Sequence, residues 1–508
     1  MDCRVRPGND ERRICASSSG SRFSRILRVA YLLRRPVALF LVVSTLFGLP
    51  AVFLIPPLRG ADETAHFARI YGYAGGEVIP SLTDAKGRKG LLLPARLAED
   101  LGFFEAARYR FGTEGFNYRQ VFAEYARRNR DAPTAGEPQP AGGPAIAPET
   151  VPPRRADPVF VLYLGSEGYT PIGYLAYMPV AIVARLVGLD FLPMLLLMRL
   201  SGFLAMTALA AYAIAIVPHL KWAFVVVAAL PIALFERAIV SADGAALSFA
   251  MMVTALSLRA IVPGGDRPWQ RSLWMTLCVL TKPSHTAFVL LEAMTDPMKR
   301  LLRNWRKTCL IVAPGLILTP LWLVAVSADI AAWRMIEGMS VPPEQFDIAW
   351  KLRFLVNHPH HFFAVSLASL ADFYWRWREA IGGLGWGDMH LSVVIYLVLS
   401  AAFLLTCGVR LELDWRTRLR VAVAAAACVL AYWLAIFLIF YLAWTPIDAL
   451  WIHGIQGRYF TIVLPPAALV VAALVNRGAP EPIVASIAGL SAMLSGAAML
   501  EIVVRSHW

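Results

Sequence analysis

Runs of 17 to 25 predominantly apolar residues recur along the chain from residue 36 onward. Each is long enough, as a helix, to cross a hydrocarbon core of about 30 Å. A chain built this way has one class open to it. Only helices satisfy their own backbone inside lipid segment by segment, so the expected fold is an all-α polytopic membrane protein. Composition agrees: of 508 residues, 58% are hydrophobic and 16% charged, whereas soluble domains carry about a quarter charged residues. Disordered, collagenous, disulfide-scaffold and soluble-enzyme classes are excluded. The formal charge of +13 would suggest nucleic acid in a soluble protein, but its distribution assigns it to topology.

Residues 1–35 hold nine arginines against Asp2, Asp10 and Glu11, a net of +6. They form a basic tail directly before the first span, 36–55, and place the N-terminus in the cytoplasm. The polar lead is too long for a cleaved signal peptide, and Pro56-Pro57-Leu58-Arg59 offers no small-residue cleavage site. Residues 56–169 then form a large first extracytoplasmic loop whose 14 basic and 14 acidic residues cancel. Within it, 91–110 has helix-forming composition and 131–158 is a Pro/Ala/Gly-rich linker. A transmembrane core occupies 170–326, a second extracytoplasmic region 327–390, and C-terminal transmembrane helices 391–508.

Two basic loops, Lys299 to Lys307 and Arg410 to Arg420, belong on the cytoplasmic side. Two arrangements satisfy both, each with about 11 transmembrane helices. In the preferred one, 172–189 lies along the outer interface and 272–295 is a short hairpin broken at Pro283. In the other, 172–189 crosses and 272–295 is a single span. The absence of a visible internal repeat weighs against an inverted-repeat transporter. Six cysteines, none in the first loop, supply neither a disulfide framework nor zinc-ligand spacing.

Chemistry concentrates where the first span leaves the membrane, in Pro56-Pro57-Leu58-Arg59-Gly60-Ala61-Asp62-Glu63-Thr64-Ala65-His66-Phe67-Ala68-Arg69. Asp62, His66 and Arg69 are spaced i, i+4, i+7, which puts them on one face of a helix starting near Asp62. The plainer reading makes Asp62 and Glu63 a helix N-terminus with Arg69 as a later partner. Arg237, Asp243, Lys282 and Arg458 add ionisable groups at membrane depth on the same side, with Gln456 beside Arg458. Singly, each cation reads as snorkelling. Jointly, carboxylates and cations around an apolar cavity suit a phosphate-linked lipid and an acid/base pair. The run Asp372-Phe373-Tyr374-Trp375-Arg376-Trp377-Arg378 reads as an interfacial anchor without chemistry. His358, His360 and His361 read as an exposed turn rather than a metal site. A divalent cation between Asp62 and Glu63 stays open, although two carboxylates are a thin ligand set.

The Pro-Pro…Asp-Glu…His-Phe…Arg stretch resembles the bacterial membrane-protein family defined by domain of unknown function 2142. So do Tyr169-Thr170-Pro171-Ile172-Gly173-Tyr174, Ser241-Ala242-Asp243, Leu280-Thr281-Lys282-Pro283 and Gln456-Gly457-Arg458-Tyr459-Phe460. In layout that family is similar to the C-type (GT-C) glycosyltransferases, which carry Asp-Glu in the first exported loop. The resemblance implies a GT-C-like fold and inverting transfer from a polyprenyl-phosphate sugar to a glycan, lipid or protein acceptor. It implies Asp62 as base with Glu63 beside it. Lys282 or Arg458 would bind the lipid-linked phosphate, and His66, Arg69, Arg237, Asp243 and Gln456 would line the substrate site. The location implied is the outer face of a bacterial cytoplasmic membrane, with no nucleic-acid partner. Two alternatives use the same residues: a lipid or polysaccharide transporter, and a non-catalytic envelope-assembly protein.

Overall fold

The computed structural model describes residues 35–113, 116–130, 157–326 and 347–508. The arginine tail, nearly all of the Pro/Ala/Gly linker and the start of the second polar region lie outside the described residues. Six described helices are long and apolar enough to cross a membrane: Pro36–Leu54, Phe191–Ile216, Trp305–Ala325, Trp415–Trp444, Gly457–Val475 and Glu481–His507. The chain is thus a mostly helical polytopic membrane protein, its candidate spans all helical. The thirty-residue helix Trp415–Trp444 is about 45 Å long at 1.5 Å per residue, so it tilts or projects from the bilayer. Asp414 starts it by accepting hydrogen bonds from the backbone N–H groups of Arg416 and Thr417.

The other apolar runs are shorter or broken, and the sequence says why. The first span widens into a π turn at Ser44–Gly48, just before Pro50, whose ring cannot fit a regular turn. The run 222–236 splits at Pro231 into helices Lys221–Ala228 and Pro231–Ala238. The run 172–189 folds as a short 3-10 turn followed by the nine-residue helix Met178–Leu186, which is too short to cross. Helix Pro268–Thr281 stops because Pro283 holds Lys282 in an extended conformation. The chain then doubles back as the 3-10 helix Pro283–Met294, with Arg271 donating to Glu292 across the open end. Lys282 is therefore the tip of a hairpin. Both segments have the shapes that the first of the two arrangements requires.

The polar region 56–169 departs from an all-helical reading. Residues 91–93 do not join the expected helix. Instead Lys89–Leu93 pairs with Val159–Leu162, Leu91 opposite Val161, and with Leu82–Thr83 in a small antiparallel sheet. The helix begins only after Pro94, as Ala95–Tyr109. This region is fastened to the membrane helices by specific ties. Arg59 donates to Asp388 at 2.7 Å and to His507 Nε2 at 3.1 Å, while the Trp508 indole donates to the Leu54 carbonyl. The loop, the 383–390 turn and the end of the last helix therefore sit on one face of the molecule.

Candidate functional site

Four interrupted helices end at one place on that face. Lys282 sits at the hairpin tip. Asp243 lies in the first turn of Ala242–Arg259, whose N-cap Ser241 accepts the Asp243 N–H. Arg458 is the second residue of the 3-10 turn Gly457–Val463, which follows an extended Gln456. Asp62 precedes helix Glu63–Ala74 in the left-handed region, at φ 57°. A non-glycine residue there is strained, although aspartate tolerates it better than most. The geometry replaces the capping role expected of Asp62. Its side chain caps nothing and instead receives the Arg458 guanidinium at 2.6 Å.

Around this contact the charges interlock. Lys282 Nζ donates to Asp243 Oδ1 and lies over the rings of Tyr169 and Tyr459. Arg458 Nε is 3.8 Å from Asp243 and its Nη1 is 3.7 Å from Glu236. Those two Arg458 nitrogens, and both Glu236 oxygens, are buried without a hydrogen-bond partner among the described residues. Arg458 is thus hydrogen-bonded to one carboxylate and faces two more at longer range. Asp62 is the exposed member of the group, its side chain 42% accessible against 7% for Arg458.

Asp62, His66, Lys282 and Gln456 all line a cavity of about 410 Å³. Its opposite wall is apolar: Trp322 and Leu323 come from Trp305–Ala325, and Ile436, Ile439, Phe440 and Trp444 from Trp415–Trp444. The Trp322 indole donates to the Gly168 carbonyl and fastens that wall to the polar region. The His66 ring packs edge-on against Tyr169, and its Nδ1 is 2.7 Å from the Tyr174 hydroxyl. Burial, reinforced by Lys282 and Arg458 and opposed by Asp62 and Asp243, pushes the His66 pKa down to about 4. It is neutral at pH 7.

Other sequence-identified residues go elsewhere. Glu63 is fully buried and binds Arg199 through two contacts of 2.7 and 2.6 Å, while accepting from the N–H groups of Val240 and Gly60. Arg69 donates to the carbonyls of Val78 and Glu167 and stacks over Tyr73, away from Asp62. Arg237 donates to the Ala228 carbonyl and lies over Phe40, outside the cavity. The site therefore holds two cations rather than three, each already facing a carboxylate. Asp62 and Glu63 bind different arginines, so they form no shared ligand pair for a divalent cation. Among the described residues no three His, Cys, Asp or Glu side chains gather as a metal site. His358 and His360 are exposed, and His361 bonds the Tyr441 hydroxyl.

Sequence reasoning missed Arg199 and Glu236. Both lie within apolar runs, and an ionisable residue inside such a run is the signal that could have found them. Residues 45–467 match the model of a family described as "Predicted membrane protein (DUF2142)". No curated protein and no solved structure matches the chain.

Proposed function

We propose, on the premise that the chain belongs to the DUF2142 family of predicted membrane proteins, that it transfers a sugar from a polyprenyl-phosphate donor to an envelope acceptor. In this reading the fold is GT-C-like with about 11 spans, the N-terminus is cytoplasmic, and the cavity faces outward from a bacterial inner membrane. One observation carries the proposal. An accessible carboxylate, Asp62, sits on Arg458 at the rim of a cavity that has Lys282 at its polar end and an apolar wall opposite.

That polarity suits an amphiphile whose phosphate meets the cations while its tail lies against Trp322, Ile436 and Phe440. The arriving phosphate competes with Asp62 for the Arg458 guanidinium, and Arg458 exchanges Asp62 for it. Asp62, released, accepts the proton of an acceptor hydroxyl as that oxygen attacks the anomeric carbon. The sugar–phosphate bond breaks with its electron pair going to the phosphate oxygen, where Lys282 and Arg458 stabilise the charge in a low-dielectric site. Glu63 acts through position: its bond to Arg199 fixes the start of the helix on which Asp62 and His66 stand.

The test is transfer by purified protein in liposomes loaded with radiolabelled polyprenyl-phosphate sugar and envelope glycan as acceptor. New glycosidic bonds made by the wild type and lost in Asp62→Asn support the reading. Undiminished transfer in that variant, or headgroup translocation without new bonds, overturns it.

A further inference from the structure

The aromatic–arginine run at 372–378 does more than sit at a membrane surface. Helix Phe373–Gly382 is docked against the segment that carries Arg458. Arg376 donates to the Ile455 carbonyl at 2.7 Å, and Glu379 accepts the Gly457 N–H. The approach is so close that a Cβ on Gly457 would lie 2.1 Å from the Arg376 carbonyl oxygen and 2.5 Å from Glu379 Cβ. Between this helix and residues 451–455 runs a groove of about 510 Å³. Gly454 lines both this groove and the Asp62 cavity, so the two spaces adjoin.

The groove alternates rings with charged groups. Trp375 and Trp451 are each 50% exposed, and Arg378 covers one face of Trp375 at 4.8 Å. Asp372, Glu379 and Arg376 contribute the polar atoms. Arg376 is 7% exposed, and its Nε is buried without a hydrogen-bond partner among the described residues. A headgroup anchor needs apolar neighbours and one donor reaching water. It does not need a buried guanidinium with an idle N–H, or two carboxylates beside the rings.

Flat aromatic faces beside carboxylate acceptors and a guanidinium donor match the two-sided character of a sugar ring, which has C–H faces and a hydroxyl edge. We infer that this groove is a saccharide subsite. It holds an acceptor chain by stacking on Trp375 and Trp451, and leads its end past Gly454 to Asp62. The word acceptor rests on the transfer reading; saccharide binding does not.

The test uses the full chain in nanodiscs and, as probe, fluorescently labelled oligosaccharides released by mild acid from the envelope of cells that express it. The wild type binds them. Trp375→Ala with Trp451→Ala weakens binding about tenfold or more, as loss of two stacking faces requires. Trp375→Phe with Trp451→Phe keeps most of it, which separates stacking from misfolding. Sugar transfer is measured separately on the same nanodisc preparations, so failed transfer and failed binding are read independently. The inference is overturned if the wild type captures none of the oligosaccharides or if the alanine pair binds them undiminished. It is equally overturned if the alanine pair changes only how firmly the protein holds to the membrane, the outcome expected of an anchor.

Discussion

Asp62 and Glu63 are neighbours in sequence, and the structure assigns them opposite sensitivities. Glu63→Gln removes the negative charge from a pair in which both side chains are 0% exposed. Arg199 keeps its contacts to the Ile55 and Pro56 carbonyls, but its charge is left in the interior without a counter-ion. Breaking a buried pair from one side costs about 3–5 kcal/mol. Asp62→Asn removes one carboxylate, 42% exposed, from an Arg458 that keeps Glu236 and Asp243 within 4 Å, so it costs less than stripping a buried charge of its counter-ion. Reversible unfolding of both variants in mixed micelles measures the difference. Glu63→Gln should lose several times more stability than Asp62→Asn, and whatever fraction of it folds should retain transfer. If Glu63→Gln unfolds like the wild type yet cannot transfer sugar, the positional role argued for Glu63 is refuted.

Three further outcomes follow from the geometry. Lys282→Met leaves Asp243 with only its longer, 3.8 Å contact to Arg458 and should destabilise by less than the about 3–5 kcal/mol of a fully stranded buried charge, whereas Lys282→Met with Asp243→Asn should recover most of that loss and still fail to bind polyprenyl phosphate in a native mass-spectrometry titration. His66 should make stability pH-dependent. Its folded pKa of about 4 lies below the ordinary 6.5, so the unfolded chain binds more protons in that window and stability falls as pH drops from about 6.5 toward 4. The fall in melting temperature across that range should become shallower in His66→Gln, by the share that His66 contributes. Gly457→Ala should cost about 1–3 kcal/mol, because its methyl group meets backbone that cannot yield. Chemical denaturation checks this, with Gly454→Ala unsuitable as a control because Gly454 has φ 80°.

Membrane class was legible from run length alone, because a hydrocarbon core imposes a length that soluble helices rarely need. Breaks were legible where proline caused them, as at Pro231 and Pro283. The strand at 89–93 was not, since its partner Val159–Leu162 lies on the far side of the Pro/Ala/Gly linker in the sequence. In the site, sequence could nominate Asp62, Asp243, Lys282 and Arg458 as ionisable groups at membrane depth. It could not separate them from Arg69 and Arg237, which satisfy nearby carbonyls instead. That distinction depends on contacts hundreds of residues apart, such as Arg458 with Asp62. Glu63 shows the same limit: it stands next to the rim residue, yet a helix start turns it inward to an arginine 136 positions away.

If Asp62 accepts a proton during sugar transfer, the envelope glycans of cells carrying Asp62→Asn should lack a sugar, and mass analysis of those glycans reads this. Cells lacking the chain would be complemented with the wild type or with Asp62→Asn, at matched membrane levels. The wild type should restore a hexose- or pentose-sized mass increment that Asp62→Asn does not. An identical glycan profile from both would contradict it.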